Sequence, residues 1–116
     1  MGIRECLKGL GVPVNLNGYK YLVEAIELAT KDKTYLKGIC KRLYPTIATN
    51  NGVTMGCVER SIRYAIKISS LRGDYDLMQE IFGNSINPES GTATNQEFIA
   101  TLVEYIGMKE GSGNGN

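Results

Sequence analysis

NNGVTMGCVERSIRYAIKISSLRG, residues 50–73, is the stretch whose reading decides the fold. Asn50, Asn51 and Gly52 open it as a turn cluster, because Asn and Gly accept the left-handed backbone that a sharp reversal between helices needs. Thr54 then offers a hydroxyl cap, and helical spacing runs from Met55 to Leu71 until Gly73 ends it. At about 100° per residue, Val58, Ile62, Ala65, Ile66 and Ser69 fall within one narrow arc, while Arg60, Arg63, Tyr64 and Lys67 fall on the opposite side. One face of this predicted helix is core. The other is basic and carries an aromatic ring.

Working upstream, Thr34 opens a predicted helix with Leu36, Ile39, Cys40 and Leu43 on its apolar side. Pro45 lacks a backbone N–H, so it either kinks that helix or begins a short new one over Pro45 to Thr49. The segment Gly18 to Lys31 repeats Leu22, Val23, Ile26 and Ala29 at helical intervals and turns Lys20, Glu24, Glu27 and Lys31 outward. Asn17 is placed to cap it. Ile3 to Leu10 reads as a short helix stopped by Gly9, Gly11 and Pro13.

Downstream, Asp74 can cap a short helix through Phe82 that stops at Gly83. Asn84 to Ala93 reads as a loop. Thr94-Asn95-Gln96-Glu97 has the spacing of a capping box for a last helix that buries Phe98, Ile99, Leu102, Val103 and Ile106. The tail from Gly111, GSGNGN, has no apolar side chain and is predicted to be disordered. The expected architecture is one all-α domain over residues 1–110 containing a helix-turn-helix, followed by the tail 111–116.

Composition narrows the chemistry. The chain contains no histidine, and its cysteines, Cys6, Cys40 and Cys57, are three in number and widely spaced. Histidine-based nucleophile pairs and zinc ligand sets are therefore excluded, and neither a metal site, a cofactor nor an enzyme is expected. Cys6 and Cys40 read as small core side chains. No apolar run is long enough for a membrane span and no secretory signal opens the chain, so the expected setting is cytoplasmic, with no membrane partner.

A formal charge of +1 hides a strong polarity. Lys37 to Arg72 holds seven basic residues against one acid, Glu59, whereas the rest of the chain holds six basic and eleven acidic residues. A basic segment of this kind suits a phosphate-backbone partner. Combined with a short helix, a tight turn and a long helix with an outward basic face, it is the order of a helix-turn-helix that enters the major groove of double-stranded DNA. Arg60 and Arg63 are the candidates for guanine edges, and Glu59 can accept from a cytosine amine. Lys41, Arg42, Thr54, Tyr64, Lys67 and Arg72 are the candidates for the DNA backbone.

The runs GYKYLVEAI (Gly18 to Ile26), LYPTIA (Leu43 to Ala48), VERSIRYAI (Val58 to Ile66), Arg72-Gly73, Phe82-Gly83 and TNQEFIA (Thr94 to Ala100) resemble the C-terminal effector domain of the sporulation master response regulator, the stage zero sporulation protein A family. The resemblance implies a compact six-helix domain, a bacterial, sequence-specific transcription regulator that reads short duplex boxes with a TGTCGAA-like core, as a homodimer or as tandem copies. It also implies contact with RNA polymerase and its sigma factor, through a region matching Gly73 to Ile86 and including Phe82. Glu59, Arg60 and Arg63 fall on the family's recognition positions. Gly56-Cys57 departs from the family's usual Ser-Arg, and Tyr64 stands where histidine is usual, so the target is expected to be relaxed or shifted. The receiver domain of full-length members has no counterpart, as in an effector fragment or a stand-alone relative. The alternative function is a protein-interaction module or antagonist that keeps the fold but has lost specific DNA reading.

Overall fold

The computed structural model describes residues 2–83 and 92–113, and within them the chain forms six α-helices and no strand. These are α1 (Ile3–Gly9), α2 (Asn17–Lys31), α3 (Tyr44–Asn51), α4 (Met55–Arg72), α5 (Tyr75–Phe82) and α6 (Asn95–Gly113); all but α3 follow the predicted periodicity, and α3 is the short new helix at Pro45, carried on through Asn51. Among the described residues, no helix is long and apolar enough to cross a membrane. Residues 84–91 of the predicted loop lie outside the described residues, as do residues 114–116 of the predicted tail. The backbone of α6 continues to Gly113.

α2 is the central beam. Tyr21, Leu22, Ala25, Ile26 and Ala29 are buried along it and share one core with Val58, Ile62, Ala65 and Ile66 of α4 and Phe98, Ile99, Leu102 and Ile106 of α6. At its start Gly18 lets α4 approach closely. A Cβ at Gly18 would overlap the Ser61 carbonyl oxygen and lie 2.7 Å from the Ala65 Cβ. α2 begins at Asn17 itself, without a side-chain cap, rather than after it. The chain enters through a tight turn in which Leu16 N–H bonds Pro13 O at 3.2 Å and Tyr19 N–H bonds Leu16 O at 3.1 Å, so local carbonyls satisfy donors that a cap would otherwise take.

The helix expected from Thr34 is broken in two. A 3-10 turn over Lys33–Lys37 ends at Gly38, and a wide π turn over Ile39–Leu43 runs into α3. Gly38 sits at φ −136° and ψ 55°, outside the helical region, and Pro45 has no N–H to bond the Lys41 carbonyl. The backbone widens one residue earlier, where Tyr44 N–H reaches back to Ile39 O. This change of angular step keeps Ile39 and Leu43 inside and turns Cys40 out to solvent, contrary to its expected place on the apolar side. Cys6 is buried as expected, and burial pushes its thiol pKa up.

Asn50 and Asn51 form the last turn of α3, and the reversal falls on Gly52, at φ 64° and ψ 35°. Val53 N–H bonds Ala48 O at 3.0 Å and Gly52 N–H bonds Thr49 O at 3.4 Å, the paired closure of a Schellman motif. Thr54 Oγ1 then accepts from Cys57 N–H at 3.0 Å and starts α4. The later caps also form as predicted. Asp74 accepts from Asp76 and Leu77 N–H groups, and Thr94 and Glu97 exchange bonds at 2.9 and 3.1 Å.

The far end of α4 is locked to α1 and α5. The buried Ser69 hydroxyl donates to Leu10 O at 2.5 Å, Asp74 N–H bonds Gly9 O at 3.1 Å, and Gly11, at φ 80°, packs directly on the Arg72 carbonyl. Phe82 closes α5 onto α6 by stacking on Phe98 with ring centroids 5.3 Å apart.

Candidate nucleic-acid interface

α3, the Gly52 reversal and α4 make the helix-turn-helix, and the side chains expected to face DNA sit on the outer side of α4. Arg60, Arg63, Tyr64 and Lys67 are all exposed, while Val58, Ile62, Ala65 and Ile66 are buried beneath them. Tyr64 is 54% exposed. Three residues separate Arg60 from Arg63, which places them on one face about 4.5 Å apart along the helix axis.

The two arginines are held differently. Arg63 Nη1 lies 3.0 Å from both carboxylate oxygens of Glu59, one helical turn away. Its side chain nevertheless remains 65% exposed, so the pair is a solvent-facing one that an incoming partner can share or replace. Arg60 makes no such pair among the described residues. Its guanidinium folds toward the start of α4, so that a Cβ on Gly56 would sit 3.0 Å from Arg60 Nη1. The bare Gly56 thus leaves room for Arg60 over the first turn. Thr54 and Met55 are exposed at that same end.

The candidates for the DNA backbone divide between the two ends of the motif. Lys41 and Arg42 are exposed on the π turn that leads into α3. Arg42 is already engaged: its guanidinium lies 4.3 Å over the Tyr35 ring, reaches Asp32 at 3.5 Å and donates to Thr34 Oγ1. The Thr34 hydroxyl and N–H, joined by Arg42, hold the Asp32 carboxyl below its usual pKa. Arg72 stands elsewhere. By helical rise it is about 27 Å from Thr54, and it borders an open concavity with Lys8, Pro13 and Val14.

The residues expected to meet polymerase are less accessible than the resemblance suggests. Phe82 is only 5% exposed, and Gly73 packs against Leu10 O, where a Cβ would lie 2.6 Å away. Phe82 thus packs α5 into the core, while Gly73 stays partly exposed beside Leu10. Ile86 lies outside the described residues. The exposed side chains nearby are Leu71 and Tyr75. A groove between α5 and α6 is lined by Ile81 and Met108 and edged by Glu80, Glu104 and Lys109. Across it the Tyr105 hydroxyl donates to Glu80, which pushes the phenol pKa up to about 12.

Three residues at the motif escaped the sequence reading. Glu24, expected outward, accepts from Asn50 Nδ2 at 2.7 Å and Asn51 Nδ2 at 2.9 Å. Asn95 Nδ2, at the start of α6, donates to the Tyr44 hydroxyl at 2.9 Å and to the Glu59 carbonyl at 3.2 Å, tying α6 to both helices of the motif. Burial, opposed in part by that bond from Asn95, pushes the Tyr44 phenol up. Cys57 lies on the flank of α4 beside Ser61, at 4.0 Å, and against Tyr21 of α2, not on the reading face. Burial first, and then the Cys57 thiol, raise the Tyr21 phenol pKa. Contacts across 20 to 50 residues leave no mark on local periodicity, although the adjacent carboxamides Asn50-Asn51 did signal a turn.

Residues 3–106 match the family model described as sporulation initiation factor Spo0A C terminal.

Proposed function

Because the chain belongs to the Spo0A C-terminal family and is a DNA-binding domain of the sporulation-regulator type, we propose that it reads duplex DNA in a sequence-specific way through the outer face of α4. Arg60 and Arg63 take guanine edges through their two-pronged donor sets, and Glu59 either accepts from a cytosine amine or steadies Arg63. Lys67, Tyr64, Thr54 and Lys41 hold phosphates, and Arg42 joins them by exchanging the Asp32 carboxylate for a phosphate. Arg72 reaches only a duplex that follows the full length of the helix. The bound domain acts on transcription by contact with RNA polymerase sigma factor through the surface around α5, as single or tandem copies on DNA in the cytoplasm.

The observation that carries this reading is the cationic row Arg60, Arg63 and Lys67, unobstructed on the face opposite the buried arc of α4. A helix fits the major groove by width, and its capped N-terminal turn brings backbone and side-chain donors to the phosphates. Selection of bound duplexes from a random pool tests it. A recovered motif, with affinity falling as the salt concentration rises at a slope of about −0.9 per neutralised phosphate, is the expected result. Recovery of no motif, together with a stable complex with polymerase in its absence, would favour a protein-interaction module.

A further inference from the structure

We propose that Glu24 is a positioning residue for DNA reading: its carboxylate, by holding Asn50 and Asn51 at once, sets the angle at which α4 is offered to the duplex. This deepens the proposed function and rests on it. The argument starts from α2, which touches both helices of the motif. At Gly18 it is pressed against Ser61 and Ala65 of α4. Six residues later, about 9 Å along the same helix, Glu24 meets the last turn of α3.

Each carboxylate oxygen there takes one carboxamide, Oε2 from Asn50 at 2.7 Å and Oε1 from Asn51 at 2.9 Å. Asn51 Nδ2 also donates to Ile47 O at 2.7 Å, so the brace reaches the backbone of α3. The reversal at Gly52 is otherwise a single glycine whose Cβ position meets nothing within 4 Å. The angle between α3 and α4 is set by contacts away from that glycine, among them the Glu24 brace on the turn and the Asn95 bonds to Tyr44 and to the Glu59 carbonyl. α2 is the common reference for both helices, and Glu24 is its polar contact with the turn.

The chemistry sets a sharp test, because a carboxylate offers two acceptor oxygens where a carboxamide offers one acceptor and one donor. Glu24→Gln keeps an oxygen for Asn51 but turns an amide nitrogen toward Asn50, whose carboxamide must turn over or lose the bond, and it removes the charge that strengthens both contacts. Adding Asn50→Asp reverses that pair. The amide nitrogen introduced at position 24 can then donate to the new carboxylate while its oxygen still accepts from Asn51, and net charge returns to its original value. The readout is the affinity ratio between the duplex selected by the unmodified domain and a scrambled duplex of equal length and composition. It is measured at one salt concentration and well below every variant's melting temperature.

Glu24→Gln should lower this ratio by about tenfold, the scale of one charge-assisted hydrogen bond, with scrambled-duplex binding changed less than about twofold. The double variant should restore it. Retention of the full ratio by Glu24→Gln, an equal loss on both duplexes, or failure of the double variant to recover would overturn the inference. If the unmodified domain itself shows no preference, the DNA-reading assignment falls and the inference falls with it. A selective unmodified domain with an unaffected Glu24→Gln refutes the inference alone.

Discussion

The two ends of α4 are built for opposite tasks. At the far end Ser69 is fully buried and bonded to α1, Gly73 is pressed on Leu10, and Asp74 N–H continues the contact into α5. At the near end Thr54, Met55, Arg60 and Arg63 face solvent, and the restraints are polar braces from Glu24 and Asn95 that reach the neighbouring turn and the Glu59 carbonyl. A reading helix has to be rigid while leaving its donors unspent. A buried hydroxyl bond and close backbone contact hold one end, while solvent-side bonds from neighbouring helices steady the other and leave its outer face exposed.

If that contrast holds, changes at the anchored end should affect stability and leave sequence preference intact. Gly11→Ala should have the largest effect. The new Cβ would meet the Arg72 carbonyl carbon at 2.7 Å, on a backbone already at φ 80°. Left-handed strain and overlap with backbone together should cost about 3 kcal/mol, or roughly 10–20 °C in melting temperature. Ser69→Ala comes next: it leaves the Leu10 carbonyl without the hydroxyl that now bonds it, at about 1–2 kcal/mol by denaturant titration. In both variants the folded fraction should keep the original ratio of specific to nonspecific DNA binding. A lost ratio would mean that the anchor also sets the reading geometry, and the division between the ends would dissolve.

At the near end, Thr54→Ala removes the acceptor for Cys57 N–H and should cost about 1 kcal/mol of stability. Unlike the anchored-end variants, it should also weaken binding to every duplex, because an exposed hydroxyl at the helix start is lost. Melting and binding measured on the same sample check this, and a stability loss without any loss of affinity would remove Thr54 from the interface.

How much of this was legible in the sequence depends on how far each contact reaches along the chain. α4, α5 and α6 were readable because their punctuation is local: Thr54, Asp74 and the Thr94/Glu97 box each act within three residues. The exposed row of Arg60, Arg63 and Lys67 followed from the same arithmetic. The region between α2 and α3 departs from the regular helix expected there, because the non-helical backbone at Gly38 and the wide turn before Pro45 rotate Cys40 out of an arc that a regular helix would have kept. Glu24 and Asn95 were invisible for another reason. Their partners are supplied by the folded arrangement of helices, and an isolated carboxylate or carboxamide on a helix surface looks the same with or without them.

The central claim is that the outward row on α4 divides into side chains that read bases and side chains that hold phosphates. Arg60→Ala and Lys67→Ala, compared on the selected and the scrambled duplex, test it most directly. Arg60→Ala should lose about 1–3 kcal/mol of discrimination while its binding to scrambled DNA changes little. Lys67→Ala should weaken both duplexes equally and make the salt slope shallower by about one unit. Equal losses on both duplexes from both substitutions would contradict the account.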